Sequence, residues 1–235
     1  MSLQALILAG GTGSRLGALV EHSPKPFLSV GGNPFLQKIV ERLINQGITD
    51  VIFCLGYKPK KIMDFFGDGS KWEMRFSYVL EENLMGTGGA IRGALQLIDG
   101  PDILVLNGDS FCYFDVYGIM KRHVESQSKA TLTLLTVEEP DRFGLVEFND
   151  KNEIVSFVEK DELNKVTSFI NAGVYVLSKQ LIMHIDPSKP ISLEKEIFMS
   201  YLNDRMYSFV LNDNRFIDIG TPESLSVAER FFDER

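Results

Sequence analysis

The feature that most constrains the fold is a short apolar run, Ala5-Leu6-Ile7-Leu8-Ala9, which stops abruptly at Gly10-Gly11. A continuous run of this length, without polar alternation, suits a strand covered on both faces, as in a parallel sheet. Val51-Ile52-Phe53-Cys54-Leu55, Phe76-Ser77-Tyr78-Val79-Leu80 and Ile103-Leu104-Val105-Leu106 read as further strands. Helical spacing separates them. Phe35, Leu36, Ile39, Val40, Leu43 and Ile44 recur at helical positions between Pro34 and Gln46, with Gly47 as the stop, and Gly88 to Leu97 reads as another helix. Strand–helix alternation predicts a doubly wound, Rossmann-like α/β sheet, mainly parallel and flanked by helices, with ligands outside the carboxyl ends of the strands.

Past about residue 110 the texture changes. Ala130 to Val137 and Gly144 to Phe148 alternate and read as antiparallel, and Asn149-Asp150-Lys151-Asn152 turns the latter into Ile154-Val155-Ser156-Phe157-Val158. The expectation is one domain over 1–235, a mixed sheet whose second half carries a small antiparallel, substrate-binding portion. Thr221-Pro222 reads as a helix N-cap followed by proline at the first helical position. Phe231 and Phe232 suit docking on the core better than a dimer contact.

A net charge of −8 removes a general basic footprint for nucleic acid but leaves room for a local phosphate pocket. Cys54 and Cys112 match no metal-ligand spacing and suit reduced, packed residues. The start of the chain lacks a basic segment, and no stretch approaches a membrane span. The expectation is a soluble, cytoplasmic chain, monomeric or homodimeric, without membrane or nucleic-acid partners.

Directly after the first strand comes Leu8-Ala9-Gly10-Gly11-Thr12-Gly13-Ser14-Arg15-Leu16. Its glycines let the backbone approach an anion and aim successive N–H groups at it, and the Arg15 fork matches phosphate oxygens. The order strand, glycine loop, basic residue suits a triphosphate. The loop lacks the Lys-Ser/Thr ending of a P-loop and the spacing of the dinucleotide fingerprint, so kinase, GTPase and dehydrogenase readings are disfavoured. Further on, Pro24-Lys25-Pro26 holds one lysine between two prolines, which pre-orients its ammonium.

Gly-Gly-x-Gly-x-Arg-Leu followed by Pro-Lys-Pro resembles the signature of the sugar-1-phosphate nucleotidylyltransferase family, and the likeness runs from Ala5 to about Leu225. The fold it implies is that of the nucleotide-diphospho-sugar transferases, with a nucleotide-binding half over about 1–110 and a sugar-phosphate-binding half over about 111–235. The activity it implies is nucleotidyl transfer from a nucleoside triphosphate to a sugar 1-phosphate, with release of pyrophosphate.

Site residues follow from the same resemblance. Leu8 to Ser14 would hold the nucleotide, as would Gly86-Thr87-Gly88 in Leu84-Met85-Gly86-Thr87-Gly88-Gly89-Ala90, which resembles the base-binding segment. Glu81 or Glu82 would accept from the N1–H and amino group of guanine, a lean towards GTP over UTP, although an exposed acidic pair explains them as well. Asp109, in Asn107-Gly108-Asp109, and Asp218 match the family's aspartates for Mg²⁺, an ion that takes few protein carboxylates and keeps waters and phosphates. The sugar phosphate would meet Asn107, Glu159, Lys160 and Asn171, with Gly144 and Gly173 leaving room for the ring. Arg15 would stabilise the leaving phosphates and Lys25 the α-phosphate. His22, His123 and His184 fall in no recognisable catalytic motif.

Within the family, the compact chain and Gly67-Asp68-Gly69-Ser70 look most like D-glycero-α-D-manno-heptose-1-phosphate guanylyltransferases. Short uridylyltransferases acting on N-acetylmuramic acid phosphate share much of the pattern. Either implies supply of cell-envelope or capsule sugars. A nucleotide- or sugar-sensing subunit on the same fold would be expected to lose a phosphate-loop or metal residue, and Arg15, Lys25, Asp109, Lys160 and Asp218 are all present.

Overall fold

The computed structural model describes residues 3–137, 143–158 and 169–232. The first half of the chain runs through β1 (Ala5–Leu8), β2 (Ser29–Val30), β3 (Asn33–Pro34), α1 (Phe35–Asn45), β4 (Asp50–Leu55), α2 (Pro59–Phe66), β5 (Arg75–Leu80), α3 (Gly86–Gly93) and β6 (Asp102–Asn107). Then follow β7 (Ser110–Cys112), α4 (Val116–Glu125), β8 (Ala130–Thr136), β9 (Leu145–Phe148), β10 (Ile154–Val158) and β11 (Phe169–Ser178). The chain continues through α5 (Lys179–Met183), β12 (Met206–Val210), β13 (Phe216–Asp218) and α6 (Pro222–Phe231).

β1 lies at the centre, parallel to β4 on one side and to β6 on the other, with β5 parallel to β4 beyond. The chain moves outward through β4 and β5 and then returns by α3 to the opposite flank of β1. Strand order therefore reverses at β1, and a crevice opens beyond the carboxyl ends of β1 and β6. This reversal brings the Gly10 loop and the Asn107–Asp109 segment together.

Both faces of β1 are covered, as its apolar run requires. Ala5 and Ile7 join a core with Leu36 of α1 and with Ile62 and Phe66 of α2. Leu6 points the other way, into a core with Ala90 and Ile91 of α3.

β11 joins the two halves of the sheet. Its later part pairs antiparallel with β6, Val174 opposite Leu106, while its beginning meets β9, Ile170 opposite Leu145. Between them the register against β8 shifts from Asn171 to Tyr175, around Gly173 with φ 74°. β9 and β10 form the expected antiparallel hairpin.

The expectation that Ala130 to Val137 forms an antiparallel strand holds only towards β11, because β12 runs parallel along the other edge of β8. The alternation misleads because Thr131 and Thr133 are fully buried. Thr133 Oγ1 donates to the Val174 carbonyl at 2.8 Å, and Thr131 Oγ1 lies 2.9 Å from His123 Nδ1. Satisfied hydroxyls such as these are compatible with a core strand.

The helix expected over Gly88 to Leu97 starts earlier, at Gly86, and ends at Gly93, with a 3₁₀ turn at Leu95–Leu97. Thr221 caps α6 as expected, accepting from Ser224 N–H in a reciprocal capping box. The Phe232 ring lies 4.9 Å from Phe111 and 6.2 Å from Phe35, so this end docks on the core. No helix among the described residues is long and apolar enough to cross a membrane.

Candidate active site

The glycine loop is pinned where β1 ends. Ala9 N–H donates to the Cys54 carbonyl at 2.9 Å, and the Gly10 carbonyl accepts from Tyr57 N–H at 3.1 Å. A Cβ on Gly10 would stand 2.6 Å from Glu81 Oε2 and 3.2 Å from the Gly56 nitrogen, so only glycine lets these walls close. The loop then winds into a 3₁₀ stretch, Ser14–Val20, anchored by Leu16 and Val20 against Leu28. Leu8, Ala9, Gly10 and Gly11 line the crevice. Thr12, Gly13, Ser14 and Arg15 continue the loop beyond that lining, and Arg15 is exposed.

Lys25 enters from the stiffened segment. Pro24 is extended, its carbonyl accepts from Phe27 N–H at 2.8 Å, and Pro26 is buried. The Lys25 ammonium donates to Asp109 Oδ2 at 2.6 Å. Asp218 is brought to the same place by the antiparallel β7–β13 pair, in which it stands opposite Ser110. Ile219 N–H donates to the Asp109 carbonyl at 2.9 Å, and Gly220 N–H to Asp218 Oδ1 at 2.9 Å. A Cβ on Gly220 would lie 2.6 Å from Asp218 Oδ1 and 3.6 Å from Lys25 Nζ, so Lys25, Asp109 and Asp218 converge. Two carboxylates beside one ammonium form a cation-attracting corner, with hard oxygen donors of the kind Mg²⁺ takes.

On the opposite flank of β6, Asn107 follows the last rung of the β6–β11 ladder and lines the crevice. Asn171 Oδ1 accepts from Gly173 N–H at 2.9 Å, and its Nδ2 donates to the buried Tyr175 hydroxyl at 2.8 Å. A Cβ on Gly173 would sit 3.0 Å from Asn107 Nδ2, so the absent side chain makes room first for that amide. Asn107 Oδ1 is buried and has no hydrogen-bond partner among the described residues, a free acceptor at the crevice floor. Gly144 precedes the β9–β11 pairing point, and a Cβ there would meet nothing within 4 Å. Glu159 and Lys160 lie outside the described residues.

The remaining wall is the start of α3 with the strand before it. Of the two expected acidic candidates, Glu81 lines the crevice and Glu82 is exposed. Glu81 Oε1 accepts from Met85 N–H at 3.1 Å. Burial raises its carboxyl above the usual range, partly offset by that N–H. Gly86 and Thr87 line the crevice beside it, while Gly88 donates its N–H to the Ile191 carbonyl at 2.9 Å, behind that surface.

Leu84, the first residue of the segment expected to meet the base, lines the crevice near Glu81, whereas sequence reasoning missed Glu194, which reaches it from a much later segment. The open crevice has a volume of about 390 Å³, within the usual range for a small-molecule site.

Comparison with known proteins identifies the family of the chain. A family model described as nucleotidyl transferase matches residues 4–235. The chain is 35% identical to a mannose-1-phosphate guanylyltransferase of Mycobacterium tuberculosis, over 94% of this chain but only 62% of that protein's length. It is 34% identical to a D-glycero-alpha-D-manno-heptose 1-phosphate guanylyltransferase of Campylobacter jejuni, covering 94% of this chain and 96% of the relative. Among solved structures, it is similar to HddC from Yersinia pseudotuberculosis complexed with GMP-PN. That likeness has a TM-score of 0.84 at 31% identity, covering 98% of this chain and 99% of the other.

Proposed function

The chain belongs to the nucleotidyl transferase family as a sugar-1-phosphate nucleotidylyltransferase, and from that premise we propose that it transfers GMP from GTP to D-glycero-α-D-manno-heptose 1-phosphate. Pyrophosphate is the leaving group and the GDP-sugar the product. The observation that carries this reading is one crevice lined by the glycine loop, by the Lys25–Asp109 pair and by a half-buried carboxylate, Glu81. A carboxylate is an acceptor only, and guanine offers it two adjacent donors, N1–H and the amino group, where uracil offers a single N–H between two carbonyls. Support for the heptose comes from similarity to a heptose-phosphate guanylyltransferase along almost its whole length.

In this reading a phosphate oxygen of the sugar 1-phosphate attacks the α-phosphorus in line. A new P–O bond forms as the bond to pyrophosphate breaks, without a covalent enzyme intermediate. Leu8 to Ser14 and Gly86-Thr87 hold the nucleotide, with Gly88 fixing that turn from behind through Ile191. Lys25 turns from Asp109 towards the α-phosphate, and Arg15 meets the leaving phosphates. Asn107, Asn171, Glu159 and Lys160 orient the sugar phosphate. Asp109 and Asp218 would hold Mg²⁺, which neutralises triphosphate charge. Positioning and preorganised charge supply most of the acceleration.

The test is pyrophosphate release with GTP, UTP, CTP, dTTP and ATP against a panel of sugar 1-phosphates in Mg²⁺. GTP with the manno-configured heptose phosphate should turn over fastest. A UTP preference with an amino-sugar phosphate would overturn base and sugar together. Nucleotide binding without turnover anywhere in the panel would point to a sensor.

A further inference from the structure

One crevice carboxylate has no part in the scheme above. Glu194 stands in the short π-helical turn Leu193–Phe198 and lines the crevice with Thr87, Asn107 and Asp109. Its Oε2 accepts from Thr87 Oγ1 at 2.9 Å and from Ser192 Oγ at 3.2 Å. Each hydroxyl is itself held in place by a backbone donor. Leu193 N–H donates to Thr87 Oγ1 at 2.7 Å, and Lys195 N–H donates to Ser192 Oγ at 3.1 Å. Each hydroxyl has one proton, so both protons are committed to the same carboxylate oxygen. That oxygen is saturated and the carboxylate fixed in rotation, while no described residue donates to Oε1.

Glu194 shares the crevice lining with Asn107, a residue assigned to the sugar side. Its charge, after burial itself, adds to the forces that hold the Tyr175 phenol in its neutral form. Tyr175 is the residue to which Asn171 is tied, beneath the part of the crevice assigned to the sugar. Through Thr87 the same carboxylate is fastened to the segment assigned to the base. The two segments are also joined by backbone bonds, Ile191 N–H to the Met85 carbonyl at 2.8 Å and Gly88 N–H to the Ile191 carbonyl at 2.9 Å.

We propose that Glu194 is a specificity residue whose free oxygen accepts a hydrogen bond from a hydroxyl of the sugar 1-phosphate, with Thr87 and Ser192 holding it in place. The assignment rests on the sugar nucleotidylyltransferase reading. A site built to pair a hydroxyl discriminates strongly against an analogue lacking it, because the buried acceptor is then left unpaired. Glu194 thus favours sugars bearing that hydroxyl, and its link to Thr87 aligns the sugar against the bound nucleotide.

The test combines the full-length Glu194→Gln variant with monodeoxy sugar 1-phosphates. Glutamine keeps an oxygen for Thr87 and Ser192 but presents an amide N–H₂ where the free oxygen stood. The KM for the sugar phosphate should rise about 10- to 100-fold, with kcat and the nucleotide Kd changed much less. One monodeoxy sugar phosphate should be about 10- to 100-fold worse for the wild type and almost neutral for the variant, the non-additivity of a direct contact. Should the glutamine variant fail to fold, Glu194→Asp retracts the same charge and should show the same non-additivity. Equal deoxy penalties in both enzymes overturn the assignment. Non-additivity with 2′- or 3′-deoxynucleoside triphosphates instead also overturns it, moving Glu194 to the ribose. A wild type that turns over no sugar 1-phosphate overturns the reaction and this assignment together, whereas normal wild-type turnover with additive penalties overturns the assignment alone.

Discussion

Lys25 and Asp109 meet across 84 residues of sequence through a 2.6 Å hydrogen bond, the lysine 14% exposed and the aspartate 38%. The ammonium is held, largely shielded from solvent, at the corner where both aspartates converge. Exchanging Lys25 for Ala should lower kcat by about 100- to 1,000-fold, as removal of a preorganised electrostatic donor does. The folding cost should stay within about 1 kcal/mol, because a half-exposed carboxylate left behind is readily rehydrated. Pyrophosphate release and thermal unfolding on the same preparation separate the two. Near-normal turnover removes Lys25 from the mechanism.

Glu81 gives the protein a pH signature with two opposite directions. Burial raises its folded pKa above that of an ordinary glutamate. For such an acid, the stability linked to its neutral form is fully present below the unfolded pKa and is lost as pH rises through the folded value. Glu81→Gln should therefore stabilise the free protein at neutral pH and lose that advantage below about pH 4. Guanine recognition needs the ionised form, so GTP affinity should weaken as pH falls through the folded pKa. Glutamine should flatten that dependence. Calorimetric Kd values across the acidic range test this, and an unchanged pH profile in the variant separates Glu81 from the base.

What was legible in the sequence was what local chemistry marks. An apolar run ending in glycines showed β1 and its loop, and Asn107-Gly108-Asp109 was marked by its place after the β6 run. The hairpin β9–β10 was visible in its turn residues. The meeting of Asp109 and Asp218 depends on the β7–β13 pairing, which spacing cannot reveal, so only family resemblance pointed to it. Glu194 was invisible because its partner Thr87 is 107 residues away, and no nearby residue distinguishes it from a surface glutamate. α4 was hidden by a mixed stripe, with His123 buried against Asp102 and Thr131 while Tyr117 and Val124 are exposed. β8 misled in the converse way, its threonines being polar by type yet internally bonded.

The aromatic cluster at the end of the chain should carry stability rather than catalysis. Phe111 packs edge-on against Phe231 at 6.0 Å and Phe232 at 4.9 Å, and only 7% of it is exposed. Phe111→Ala should cost about 3–5 kcal/mol, the usual range for deleting a core phenylalanine. For a chain of this size each kcal/mol lowers Tm by roughly 2–4 °C. Denaturant titration checks the magnitude. A loss below about 1 kcal/mol would mean that α6 contributes little to the folded core.

Gly173 and Gly144 are both assigned to the sugar side, yet they should respond differently to one added methyl group. Gly173 has φ 74°, where a side chain costs roughly 1–3 kcal/mol. Its new Cβ would also press on Asn107 at 3.0 Å from Nδ2. Gly173→Ala should therefore lower Tm, displace the Asn107 amide and raise the KM for the sugar phosphate about 10-fold or more, a loss that about 1.4 kcal/mol of misplaced binding accounts for. Nucleotide affinity should hold, because the glycine loop leaves β1 rather than β11. Gly144→Ala meets open space, so its folding stability should stay unchanged, and any rise in KM would come from contact with the sugar itself. Measuring KM and Tm for both variants distinguishes a glycine that shapes Asn107 from one that borders the ligand. An unchanged KM in Gly173→Ala, with Tm lowered as expected, would detach Asn107 from sugar-phosphate recognition.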